Sequence, residues 1–143
     1  MTGRTHDAPS ISRAAAVALI EAVRQEAAVA GFDVATAVTD AGGHLVAFER
    51  ADGTPFLAAE VAVDKAWTAA AFRLTTDTWN TLVTDPRVAP LAHHPRLMAV
   101  GGGFPLFDGG VCVGGLGISG GTAQQDEDAA HAALKAQGFA VSR

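Results

Sequence analysis

Residues 101–121, GGGFPLFDGGVCVGGLGISGG, carry ten of the chain's 16 glycines and constrain the fold more than any other stretch. They spell a β-hairpin. Phe104 to Phe107 is a short apolar strand, Asp108-Gly109-Gly110 is a turn tolerant of positive φ, and Val111 to Ser119 is a second apolar strand. Gly114, Gly115 and Gly117 weaken that second strand, so something else must come close to its backbone: a helix, another subunit or a flat ligand.

Two well-known motifs in this stretch are set aside. Gly115-Leu116-Gly117-Ile118-Ser119-Gly120 matches G-x-G-x-x-G, but a dinucleotide site needs a following strand and an acidic residue about 20 positions on. Only 23 residues follow Gly120, and 137–143 hold no acid. Gly117-Ile118-Ser119-Gly120-Gly121 matches G-x-S-x-G. Its later acid and histidine candidates, Asp126, Asp128 and His131, share one short helix directly after the serine and cannot fold back into a triad.

At 143 residues the chain is long enough for one domain with a real core. A composition of 49% hydrophobic and 17% charged residues favours oligomers, because interfaces replace polar surface. A net charge of −5 argues against nucleic acid or an anionic membrane as partner. The single cysteine, Cys112, excludes an internal disulfide and a cysteine-cluster metal site. Neither a membrane-span pattern nor a signal-peptide pattern is visible, which points to the cytoplasm.

Residues 1–9 read as a disordered tail, and 10–143 as a single domain. Ser10 or Ser12 caps a helix that ends at Gly31, with Val17, Ile20, Val23 and Ala27 on its core face. Phe32 to Thr39 and His44 to Arg50 form a hairpin turned by Asp40-Ala41-Gly42-Gly43. Asp40 is a turn former and His44 a surface residue. Leu97 to Val100 reads as a further strand, and Thr122 with Gln125 as a capping box that opens the last helix. Asp126 and Glu127 read as charges complementing that helix's dipole, and His131 as exposed.

A helix from Pro55 to Phe72 carries the polar residues of most interest. Glu60, Asp64, Lys65 and Thr68 fall in one sector, opposite an alanine-dense face of Ala58, Ala59, Ala62, Ala66, Ala69 and Ala70. The sector is narrow for a free surface helix, so its charges should face a pocket or interface. Two readings of Lys65 stay open. A part-buried lysine binds a carboxylate or acts as a base or amine nucleophile. Alternatively, it is a snorkelling side chain paired with Glu60 or Asp64 of a neighbour. His93 and His94 are adjacent and lack a third ligand nearby, a poor pattern for a metal site, though one of them could serve as an axial haem contact.

Hairpin-linked strands with segregated helices define an α+β architecture. At this point VTDAGGHLVAFERADG, DKAWTAA, GGGFPLFDGGVCVGGLGISGG and QQDEDAA together resemble the GlcG/HbpS-type haem-binding family, which includes the C-terminal domain of PduO-type proteins. The resemblance spans about residues 10–136. It implies a profilin-like α/β/α sandwich with an antiparallel sheet of about five strands, and homo-oligomers built from dimers. It also implies an apolar small-ligand pocket near a subunit interface. By this carry-over the haem iron lies near Thr68, with Lys65 and the Gly102-Gly103-Phe104-Pro105 turn lining the same region. Gly102, Gly103 and Gly115 would leave a flat slot walled by Phe104, Trp67 and Phe72. Iron contact candidates are Thr68, His93 and His94.

Three functions follow from the resemblance. The first is a haem-binding, haem-degrading protein. The second is a cofactor-independent lyase or deaminase acting on a small aromatic or acidic compound. In it Lys65 would be the base or anion anchor, assisted by Thr68 and by Asp126 or Glu127 of the next subunit. The third is a non-catalytic accessory scaffold.

Overall fold

The structure is a computed structural model and describes residues 3–141. Helix α1 spans Arg13–Ala30, strands β1 and β2 span Ala35–Asp40 and Leu45–Arg50, and helix α2 spans Leu57–Phe72. A short helix α3 (Thr76–Leu82) and a 3-10 turn (Ala89–His93) lead to β3 (Gly103–Asp108), β4 (Val111–Ser119) and α4 (Ala123–Ala136). The four strands form one antiparallel sheet in the order β2-β1-β4-β3. Helix α2 covers one face of it, and α1 with α4 covers the other. The α/β/α sandwich is therefore as expected, but the sheet has four strands where about five were expected.

The missing strand is Leu97–Val100, and its backbone groups show why. Thr68 Oγ1 donates to Arg96 O at 3.1 Å and accepts from the Met98 amide at 2.9 Å. Asn80 Nδ2 donates to Ala99 O at 2.9 Å. Groups already bonded to helical side chains cannot join a ladder.

The caps follow the sequence. The Ser12 hydroxyl accepts from the Ala15 amide, and Gly31 closes α1 with φ 81°. Thr122 and Gln125 form the capping box of α4. Asp40 Oδ1 accepts from the Gly42 and His44 amides at 2.9 Å, the expected turn-forming role. Val17 is a correction: it is 44% exposed, because the buried stripe of α1 runs through Ala16, Leu19, Ile20, Val23 and Ala27.

The larger core lies between the sheet and the α1/α4 layer, around Leu19, Val23, Val38, Phe104, Leu106, Leu116, Ile118 and Leu134. The α2 face is packed from small residues. Ala35 and Ala37 meet Ala58, Ala62 and Ala66. A Cβ on Gly117 would stand 1.9 Å from Ala62 O, and one on Gly115 would stand 2.1 Å from Ala66 O. Among the options for what approaches the glycine-thinned strand, the chain's own helix α2 is the one that does.

Residues 3–9 are exposed and belong to no helix or strand. Residues 1 and 2 of the expected tail, and 142 and 143 of the expected domain, lie outside the described residues. No helix among the described residues is long and apolar enough to cross a membrane.

Candidate functional site

Lys65 leaves the sheet-facing side of α2 and is 2% exposed. Its Nζ donates to Ile118 O at 2.7 Å and to Asp126 Oδ2 at 3.3 Å. Asp126, near the start of α4, also accepts from the Gly121 amide at 3.1 Å, and Glu127 Oε1 accepts from the Gly102 amide at 2.8 Å. These acids thus have partners inside the same chain, beyond their place in the first turns of α4. Burial holds the Lys65 amine below its usual range and pushes the Asp126 carboxyl up, with the attraction of each for the other opposing both shifts. Burial likewise pushes Glu127 up, against the hydrogen bond from Gly102. Neither Glu60 nor Asp64 pairs with this lysine, and the amine is sealed rather than snorkelling.

The flat slot expected beside Lys65 is filled. A Cβ on Gly102 would lie 2.8 Å from Lys65 Nζ, and one on Gly103 would lie 2.4 Å from Thr76 Cγ2. Helix α2 occupies the space above Gly115. Pro105 is buried beside it, paired in register with Gly115. Phe104 belongs to the core on the opposite face of the sheet, where it meets His131 edge-on at 5.0 Å. His131 is half-buried, not exposed. Phe72 is exposed and packs on Trp79, away from Phe104. The expected wall of Phe104, Trp67 and Phe72 therefore does not assemble.

Thr68 is fully buried, and its hydroxyl is spent on the Arg96 carbonyl and Met98 amide. It acts as a clamp for the loop that follows the 3-10 turn. What the clamp holds is informative. His94 stacks on Trp67 with ring centroids 5.2 Å apart and planes 17° apart. The Arg96 guanidinium sits 4.7 Å from the centre of the same indole, and its Nε lies 3.2 Å from Asp64 Oδ1. His94 Nδ1 accepts from the Arg96 amide at 3.2 Å, which leaves the proton of the neutral ring on Nε2. That ring then presents an N–H donor at Nε2. His93 is exposed at the end of the 3-10 turn. Among the described residues no cluster of three or more histidine, cysteine or acidic side chains could hold a bare metal ion.

Asp64 connects this rim to an open cleft. A cleft of about 550 Å³ lies between β2 and the outer side of α2, lined by Leu45, Phe48, Ala59, Glu60, Val63 and Asp64. That volume is in the range of small-molecule sites. Its floor is apolar, and its acids come from the α2 sector that the helical spacing picks out. Leu45, Phe48 and Arg96 are residues that sequence reasoning missed. Strict alternation would put Leu45 and Phe48 on opposite faces of β2. The register instead jumps from Val38↔Ala47 to Thr39↔Leu45, skipping Val46, and this bulge turns Leu45 to the same side as Phe48.

Comparison with known proteins agrees with this architecture. The chain is 37% identical over 109 residues to Protein GlcG of Escherichia coli K12, covering 76% of this chain and 81% of that one. The crystal structure of the Klebsiella pneumoniae protein ORFY is similar with a TM-score of 0.90 at 26% identity, over 99% of both chains. A crystal structure described as a PduOC:haem complex is similar with a TM-score of 0.84 at 28% identity, over 94% of this chain and 99% of that one. Residues 11–135 match the family described as haem degrading protein HbpS-like, and the chain belongs to that family.

Proposed function

We propose that this protein binds haem in the cleft between β2 and α2. The observation that carries the reading is an apolar cleft whose acidic wall leads directly to a donor-rich rim. Leu45, Phe48, Ala59 and Val63 offer a surface for a flat ring, while His94 and Arg96, both held against Trp67, offer donors for its carboxylates. Family membership and a structural neighbour described as a haem complex support the ligand's identity. In this reading His94 and Arg96 would anchor the carboxylates, and the exposed imidazole of His93 is the candidate for the iron.

In this reading Lys65, Thr68, Gly102, Gly103, Phe104, Pro105 and Gly115 hold the framework and do not touch the ligand. Haem bound in the cleft supplies iron-centred redox chemistry, and the chain supplies the apolar wall and the anchoring donors. Assembly into dimers or larger homo-oligomers would cover the cleft's open side and bury Phe56 and Leu57, which are exposed at the start of α2.

Titration with haemin, followed by the Soret band, tests the proposal. The expected result is a saturable shift, weakened by Phe48→Asp in the cleft and by Arg96→Ala at the rim, and unaffected by Val29→Ser on a distant exposed surface. A band that does not move, or one insensitive to both cleft and rim changes, would overturn it. The lyase reading requires Lys65 to reach a substrate, and the sealed amine gives it no support.

A further inference from the structure

We infer that Asp64 is a built-in competitor of the ligand's carboxylate for Arg96, so that binding exchanges one carboxylate for another at the rim; this rests on the cleft reading above. Asp64 is placed in both environments at once. It lines the cleft, and its Oδ1 takes the Arg96 Nε at 3.2 Å.

The pair is partly wet, with the Arg96 side chain 40% exposed and that of Asp64 22% exposed. Such a pair is weak enough to be displaced. Among the described residues, Asp64 engages only Nε of Arg96. The terminal guanidinium nitrogens therefore remain available to begin a bidentate contact before Asp64 lets go. The indole of Trp67 holds the guanidinium in place during the exchange.

Glu60 sharpens the argument. It lines the same wall as Asp64, and neither pairs with Lys65. Two acids on the wall repel an anionic ligand everywhere except at the rim, where His94 and Arg96 donate. The wall thus selects a flat apolar ligand that carries carboxylate at one end, and orients that end toward Trp67. Asp64 sets the threshold, because a ligand without a carboxylate gains nothing from displacing it.

The test compares haemin with haemin dimethyl ester, whose carboxylates are blocked, on the wild type, Asp64→Asn and Glu60→Gln. Affinities are read from Soret titrations under one cosolvent condition, and thermal melts check that each variant is folded. Asp64→Asn is expected to bind haemin roughly two- to fivefold more tightly, the range for releasing a part-exposed ion pair. The gain is expected to vanish with the dimethyl ester and to be clearly smaller in Glu60→Gln, which relieves repulsion but frees no guanidinium. An unchanged or weakened haemin affinity in Asp64→Asn would overturn the inference while leaving the cleft reading intact. So would an equal gain in Glu60→Gln, since that would be plain charge removal. If haemin shifts no Soret band in any of the three proteins, the cleft reading itself fails and takes this inference with it.

Discussion

The Nζ of Lys65 and the Oδ2 of Asp126 lie 3.3 Å apart, and the two residues come from helices on opposite faces of the sheet. The lysine reaches past the start of β3, touching Ile118 O on the way, to meet the first turns of α4. This one bond ties both layers of the sandwich to the glycine hairpin. An amine in a K-A-x-T helix segment invites a catalytic reading; its contacts here are those of a strut.

Breaking the strut from one side should be costly. Lys65→Met leaves Asp126 buried without its counter-charge, and the expected loss is about 3–5 kcal/mol. Lys65→Met combined with Asp126→Asn should recover much of it, since the amide can still accept from the Gly121 amide and no charge stays stranded. Urea unfolding of the two variants checks this. Equal losses would mean that the pair's hydrogen bonds, not its buried charge, carry the energy.

Close packing of α2 on β4 gives a second expectation. Gly117→Ala would drive a methyl group to 1.9 Å from Ala62 O and 2.6 Å from Ala66 N, both backbone atoms that cannot step aside singly. The expected cost is about 3 kcal/mol or more, or failure to fold. Gly109→Ala is the control. It sits in the β3–β4 turn at φ +58° with nothing within 4 Å, so it should lose only about 1 kcal/mol of backbone strain. Thermal unfolding that ranks the two variants the other way would refute the account of why the strand is glycine-rich.

These two contrasts show what could be read in the residues beforehand. Alternation, caps and turn glycines marked α1, both hairpins and α4, because each is a local preference that tertiary packing then confirmed. The glycines of β4 correctly announced a close approach, but they did not say whose. A helix of the same chain satisfies them as well as a ligand does. Leu97–Val100 was misread because its composition suits a strand, while its hydrogen bonds go to Thr68 and Asn80, distant in sequence. Asp126 was read only in part, because an acid in the first turn of a helix has an adequate local explanation. Only the fold reveals Lys65 beside it. The cleft stayed hidden because its strand residues depend on a bulge at Val46 that no period-two pattern contains.

Thr68 offers a third test. Thr68→Val keeps the shape but removes the hydroxyl that serves Arg96 O and the Met98 amide. Orphaning those two groups should cost about 1–3 kcal/mol. Amide exchange at Met98 should accelerate more than exchange in the β4 core, and the Trp67 fluorescence should change as His94 and Arg96 lose their seat. If haemin affinity falls in parallel, the clamp positions the rim. An unchanged Met98 amide would show that the loop holds its form without the hydroxyl.

The last expectation concerns acid and base. Burial raises the Glu127 carboxyl above its ordinary 4.5 and Asp126 above 3.8. In the window between each ordinary value and its raised value, the folded chain keeps a proton that the unfolded chain has released. Their contribution is therefore complete in acid and is lost as the pH climbs through the raised values. Lys65 has the opposite sign. Its amine is lowered from 10.5, so the folded chain holds fewer protons there, and stability grows as the pH rises through its lowered value toward 10.5. Glu127→Gln keeps an acceptor for the Gly102 amide and should flatten part of the decline above pH 4.5. Lys65→Met should abolish the alkaline gain. Urea midpoints measured across the pH range decide both points, since wild-type and variant profiles that run parallel would mean these buried groups titrate as they do in the unfolded chain.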